Sequence, residues 1–245
     1  MRLLVANANT TEAITHACAE AARAVAAPGT EIVAATPRFG PAVVSTRAEN
    51  IVAGHAMLEL LAEHAGSVDA VLLAVSHDTA LDGARQMMPC PVVGMTEAAC
   101  LTACMLGGRF GLITFGGVEQ YRELMARYGL DSRLADIVAV NASPPEAVAD
   151  PDSVGTKVLA AAKALAAEGA NAVVLAGAAL AGFDNRLQAA APVPLLDGMA
   201  CGVRMAEMLV ALRLPKPHAG SYAAPVGRMT GGISPALAAL LRGNL

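Results

Sequence analysis

The chain contains no tryptophan, three tyrosines and four phenylalanines among its 245 residues. With aromatics at 3%, few rings are available to stack on nucleic-acid bases. Positive charge is also thin. Lysine occurs at Lys157, Lys163 and Lys216 alone, and 17 Lys plus Arg stand against 21 Asp plus Glu, a formal net charge of −4. No basic stripe can be built from this set, which excludes nucleic acid as a partner. The five cysteines are few, odd in number and scattered, which excludes a disulfide scaffold and suits reduced thiols in the cytoplasm. Hydrophobic residues make up 55% of the chain and mean hydropathy is +0.51. Even so, each apolar stretch is broken by charge, Gly or Pro before the roughly 20 residues that a bilayer span needs. The opening MRLLVANANTT turns polar too early for the core of a signal peptide. Neither membrane nor secretion is expected.

Alanine exceeds a fifth of the sequence, and short β-branched runs alternate with longer helical patterns. Leu3-Leu4-Val5 reads as a strand. Asn9, Thr10 or Thr11 is placed to cap a helix from about Glu12 to Val25. A strand at Glu31-Ile32-Val33 and a helix from Ala48 to Ala65 follow. Val68 to Val75 is almost continuously apolar, the pattern of a strand buried on both faces of a parallel sheet. Next come a helix at Leu81–Met88, a strand at Pro91–Gly94 and a helix at Glu97–Leu106. The alternation then restarts with strands at Arg109–Thr114, Asp136–Val140, Asn171–Ala176 and Pro194–Leu196. Helices are predicted at Val118–Tyr128, Asp152–Glu168 and Gly202–Leu212. Pro215 to Val226 reads as loop and Pro235–Leu241 as a closing helix. This order predicts an α/β fold with a parallel sheet covered on both faces.

The chain also resembles itself. Asp69-Ala70-Val71-Leu72-Leu73-Ala74-Val75 recurs 102 residues later as Asn171-Ala172-Val173-Val174-Leu175-Ala176-Gly177, and Pro91-Val92-Val93 recurs as Pro194-Leu195-Leu196. Two pseudo-symmetric parallel-sheet αβα halves are therefore expected, residues 1–98 with about 204–245 forming one and 99–203 the other. A site is expected in the cleft between them, at the carboxyl ends of the strands. So few charges leave little for a fully solvated surface, and a homo-oligomer is predicted.

Four strand-following loops are rich in small or polar groups: Asn7 to Thr11, Ser76 to Thr79, Thr114 to Gly117, and Gly177 to Ala179. Hydroxyls, amides and free backbone N–H groups at helix starts suit a small carboxylate or imide. Each loop would equally serve as a cap or a tight turn. Ser76, His77 and Asp78 stand in a row but do not form a triad, because adjacent side chains point in different directions. His77 at a strand end can act as acid or base. Asp78 can bind substrate, orient a neighbour, or cap the helix after it. His16, His55, His64 and His218 read as surface or packing residues. Cys100 and Cys104 lie one helical turn apart without the further ligands zinc needs, so no metal is expected. Cys18, Cys90 and Cys201 read as small hydrophobes. No nucleotide-binding motif stands in the right context, and no cofactor is expected.

The ordered set of motifs resembles the aspartate/glutamate/hydantoin racemase superfamily. NANTT (Asn7–Thr11), FGPA (Phe39–Ala42), SHDTALDGAR (Ser76–Arg85), PVVGMTEAA (Pro91–Ala99), RFGLIT (Arg109–Thr114), VVLAGAALAG (Val173–Gly182) and PLLDGMACGV (Pro194–Val203) follow the family's order. The resemblance covers nearly the whole chain and implies a cofactor-independent enzyme. It also implies two facing cysteines that exchange a proton at the substrate's carbon. Aligned on Asp78 and Leu81, the first falls on Val75. Aligned on Val174, Leu175 and Gly182, the second falls on Gly177. Neither position carries a thiol here. The expected activity is a racemase or isomerase on a small carboxylate or cyclic amide, using Ser76, His77 and Asp78 as acid–base groups. Asn9, Thr10, Phe39, Thr79, Thr96, Glu97, Thr114, Gly177 and Ala178 are expected to hold the small-molecule substrate. A lyase (decarboxylase) or C–N hydrolase on a similar substrate, and a non-catalytic binder, are the alternatives.

Overall fold

The computed structural model describes residues 1–225, 227 and 229–243. It divides into two compact units, Met1–Gly94 with Gly202–Leu245, and Met95–Cys201. The first boundary falls where β4 (Val92–Gly94) runs directly into α4 (Met95–Leu106), and the second falls inside α9 (Gly198–Leu212).

In the first unit β1 (Arg2–Ala6), α1 (Glu12–Val25), β2 (Glu31–Ala35), α2 (Arg47–His64), β3 (Ala70–Leu73) and α3 (Leu81–Met87) precede β4. Its four strands are all parallel, in the order β2-β1-β3-β4. The second unit begins with α4 and continues through β5 (Phe110–Thr114), α5 (Val118–Tyr128), β6 (Leu134–Ala139), α6 (Pro144–Ala149), α7 (Pro151–Ala167), β7 (Ala172–Leu175), α8 (Phe183–Leu187) and β8 (Leu195–Asp197) into α9. Its strand order, β6-β5-β7-β8, repeats that of the first, again all parallel. α10 (Pro235–Leu241) returns to the first unit and packs on α2.

In each sheet the chain moves outward from the first strand to the second, then crosses back to the third. The order reverses between β1 and β3, and between β5 and β7. Open α/β sheets bind ligands beyond the carboxyl ends of the strands at such reversals. The four polar loops singled out in the sequence follow these four strands. The strands themselves are closed to solvent: every residue of β3, β5 and β7 is buried. Ile113, Val173 and Leu175 pack one face of the second sheet with α7's Val158 and Leu165. Phe110, Leu112 and Val174 pack the other with α4 and α5 residues Cys100, Tyr121 and Met125.

Predicted and observed elements differ at instructive places. α6 went unpredicted although its start is signalled. Ser143 Oγ accepts the Glu146 amide, and the Glu146 carboxylate accepts the Ser143 amide at 2.6 Å, a reciprocal capping box. α4 and α9 begin earlier than expected, directly off their strands, with no loop between. Thr11 occupies the N-cap of α1, but its side chain does not cap; its hydroxyl donates to Ala42 O at 2.7 Å. The predicted loop from Pro215 ends on Val226, which lies outside the described residues. Its described part is tied over α3: Lys216 Nζ donates to Arg85 O and Met88 O at 2.8 and 2.7 Å, and Tyr222 Oη to Asp82 Oδ1 at 2.7 Å. Among the described residues no helix is long and apolar enough to cross a membrane.

Leu72 lies fully buried in β3, beneath Gly202 of α9. Leu72→Ala should cost about 2–5 kcal/mol through lost burial and a residual cavity, measured as a lower urea midpoint for the intact chain.

Candidate active site

In the first unit the β1–α1 loop is organised by Asn7, which is almost completely buried. Its Nδ2 donates to Asn9 O, Asn9 Oδ1 and Thr15 Oγ1, all at 3.0 Å, and its Oδ1 accepts the Asn9 amide at 3.2 Å. Asn9 Oδ1 in turn accepts the Thr11 amide at 3.0 Å. Thr15 Oγ1 meets Thr36 Oγ1 at 2.6 Å. The Thr10 hydroxyl and amide both donate to Pro41 O. This network fixes the NANTT loop and ties it to the segment after β2. Asn7 was not among the expected site residues. Its signal was available, as the first polar residue after an apolar strand and two before another Asn.

Phe39 lies on that segment but is 42% exposed, and its ring meets His55 edge-on at 5.2 Å between centroids. It lines a cavity of about 180 Å³ with Arg38, Glu59 and Ser234.

The loop after β3 makes two successive turns, Asp78 N to Val75 O at 3.0 Å and Leu81 N to Asp78 O at 3.1 Å. Asp78 (φ 46°) and Ala80 (φ 65°) both adopt left-handed conformations. Ala80 takes the N-cap of α3, with no side-chain cap. Asp78 is wholly buried and its carboxylate lies over Gly94 at the end of β4. A Cβ on Gly94 would lie 2.7 Å from both carboxylate oxygens. Thr79 Oγ1 donates to Asn50 Oδ1 of α2 at 2.5 Å. Ser76 and His77 are half-buried. Burial holds the His77 imidazole below its usual 6.5, so the ring is neutral at neutral pH and able to accept a proton. Val75 is buried, with no thiol in this loop.

The second unit holds the remaining expected residues. Thr114 ends β5; its hydroxyl donates to Gly116 O at 2.9 Å and accepts the Gly116 amide at 3.3 Å. Thr96 is buried and Glu97 half-buried on the first turn of α4. After β7, Gly177 adopts φ 138° and ψ 136°, a conformation that L side chains rarely take, and Ala178–Leu180 close a 3-10 turn. Ala178 is exposed. Sequence reasoning passed over Asp197, the last residue of β8, which is only 7% exposed. Its Oδ1 accepts the Met199 amide at the head of α9 at 3.1 Å. Burial and the nearby Asp184 raise its pKa to about 6, against the opposing pull of the Met199 and Ala200 amides. Burial also pushes the Cys201 thiol up to about 11, so it is a neutral thiol at neutral pH.

A doubly wound α/β sheet built twice, with buried polar and carboxyl side chains at its strand ends, defines the class. The Asp/Glu/Hydantoin racemase family profile matches residues 3–206. The chain is 33% identical over 230 residues to a hydantoin racemase of Paenarthrobacter aurescens, covering 92% of this chain and 98% of that one. An allantoin racemase from Pseudomonas fluorescens superposes with a TM-score of 0.89 at 34% identity, covering 95% of this chain and 100% of the other. The corresponding enzyme of Klebsiella pneumoniae gives 0.88 at 33%, covering 97% and 98%. The chain belongs to the Asp/Glu/hydantoin racemase family.

Gly94 is the position on which the Asp78 carboxylate rests. Gly94→Ala should force that carboxylate away and cost about 1–3 kcal/mol by overpacking, measured as a fall in Tm.

Proposed function

We propose that this chain is a cofactor-independent racemase of a small cyclic amide of the hydantoin or allantoin type, with acid–base groups other than cysteine. Family membership and 33–34% identity to hydantoin and allantoin racemases over more than nine-tenths of the chain support the reaction class. The observation that carries the acid–base reading is the Asp78 carboxylate. It is wholly buried at the carboxyl end of β3, in the loop where the family resemblance calls for a thiol and this chain has Val75. The reaction needs one group to remove the Cα proton and another to return one to the opposite face. His77, kept neutral by burial, and Asp78 are the groups for this in the first unit. Asn9, Thr10, Thr79 and Ser76 offer hydroxyls and amides for the amide oxygens and N–H groups of the ring. Thr114 and the backbone around Gly177 and Ala178 offer the same in the second unit.

The five free cysteines suit a reducing, cytoplasmic setting. A homo-oligomer is supported by large apolar side chains left at the surface, among them Ile51 at 75% exposure and Met105 at 85%. Light scattering should give a multiple of the 24.7 kDa chain mass; a clean monomer would overturn that assignment.

Incubation with single enantiomers of 5-substituted hydantoins and allantoin in D2O should give loss of optical rotation, deuterium at the stereocentre and otherwise unchanged product mass. Asp78→Asn should lower kcat by about a hundredfold or more. Absence of exchange with every substrate, or a product of altered formula, refutes the racemase reading.

A further inference from the structure

α2 is apolar on two sides, and the first unit covers one of them. Ala53, Ala56, Met57, Leu60 and Leu61 are buried on the inner side, where the helix packs on β1, α3 and α10. Ala48, Ile51, Val52 and His55 stand on the opposite side at helical spacings of three and four, and all are exposed, Ile51 at 75% and Val52 at 49%. Phe39 extends this stripe through its edge-on contact with His55, and Val43 is exposed on the segment that leads into the helix. A helix with apolar residues all round belongs in an interior.

The acids of α2 are turned back to this chain. Glu49 accepts the Ser45 and Thr46 amides at 2.9 and 2.7 Å. Glu59 accepts the Ser234 amide at 3.0 Å and meets His55 Nε2 at 3.4 Å, and Glu63 meets Arg38 at 3.2 Å. A charged partner therefore finds little to pair with along the stripe. The stripe is, however, its own complement. Turned antiparallel about a point between Ile51 and Val52, it sets Ile51 against the partner's Val52, and the small Ala48 against the partner's His55. Phe39, Val43, Ile51 and Val52 leave on the order of 400 Å² of apolar side chain open, about half of what each partner brings to an interface of standard size and enough for its dry centre.

The same stretch of chain holds the loops of the first unit's candidate site. Asn50, beside Ile51, accepts the Thr79 hydroxyl at 2.5 Å. At Gly54 the helix comes so near the β3 loop that a Cβ would lie 3.9 Å from the side chains of both Thr79 and Ala80. Pro41 O accepts the Thr10 amide at 3.0 Å, and Ala42 O accepts the Thr11 hydroxyl at 2.7 Å.

We propose that the outer face of α2 is a two-fold interface with α2 of a second copy of this chain, and that this contact steadies the loops carrying Thr10 and Thr79 for catalysis. The interface rests on α2 alone; its use in catalysis rests on the racemase reading.

Sedimentation equilibrium of the intact chain tests the interface without substrate. The parent should be a dimer or an even multiple of the chain. Ile51→Glu combined with Val52→Glu should halve that mass and raise the dissociation constant about a hundredfold or more, with unchanged far-UV circular dichroism. If the double variant fails to fold, Ile51→Gln should give the same shift in smaller measure. A short bismaleimide should join two Ile51→Cys chains into a covalent pair, and parent chains should not be joined. A monomeric parent overturns the interface, whatever else then covers the face. So does a folded double variant of parent mass, or an Ile51→Cys chain joined no more than the parent. With the hydantoins and allantoin named above, the dissociated variant should lose about tenfold or more in kcat, and parent activity should fall on dilution in step with its mass. A half-mass variant that keeps full kcat overturns the link to catalysis and leaves the interface standing. A parent that assembles through α2 yet racemises no substrate upholds the interface and sinks the racemase reading.

Discussion

A parallel strand covered on both faces has nowhere to place a polar side chain until it ends, and this constraint sorts the molecule's chemistry. β3, β5 and β7 are buried at every residue, with aliphatic or aromatic side chains along almost their whole length. The buried polar side chains among the described residues are Asn7, Asn9, Thr15, Asp78, Thr79, Thr96, Thr114 and Asp197. Every one of them lies at a strand's carboxyl end, in the loop that follows, or on the first turn of the next helix. The apolar sheets and the polar strand ends are two sides of one arrangement. Satisfying these buried groups requires dense local networks such as that of Asn7, and those networks hold the loops in the conformations the site needs.

Much of this could be read in the amino-acid order. Near-continuous apolar runs identified the buried strands because burial on both faces abolishes alternation. The recurrence of β3 as β7 gave the duplication, and the strand order of the two sheets repeats accordingly. Helix ends were harder. α4 and α9 start directly on their strands, so the usual cap-and-loop signal is absent, and α6 was hidden by two prolines that mark its first turn.

The candidate site was legible by loop and less so by residue. Asn9, Thr79, Thr114 and Asp78 fall where polar loop residues after strands should fall. Phe39, which accompanies a Gly-Pro pair, is half-exposed and meets the His55 ring edge-on. Asp197 was overlooked because a single acid after three apolar residues resembles an ordinary helix cap. It does accept the Met199 amide as a cap would. What sets it apart is burial and the second carboxyl of Asp184, and both depend on tertiary packing that residue spacing does not encode.

The duplication also explains why the two loops that follow β3 and β7 have diverged so far. With a glycine at the end of β4, the β3 loop must bring its own carboxylate, and it reaches inward through left-handed turns at Asp78 and Ala80. With an aspartate at the end of β8, the β7 loop is relieved of that task. It takes the φ of 138° at Gly177 that only glycine tolerates easily, and covers the sheet end with Leu180. A cysteine placed at 177 would meet a backbone made for a residue without a side chain, at a strain of about 1–3 kcal/mol. The backbone at Gly177 is thus one that suits glycine, and a buried carboxylate stands at the end of the fourth strand in both units, brought by Asp78 in one and by Asp197 in the other.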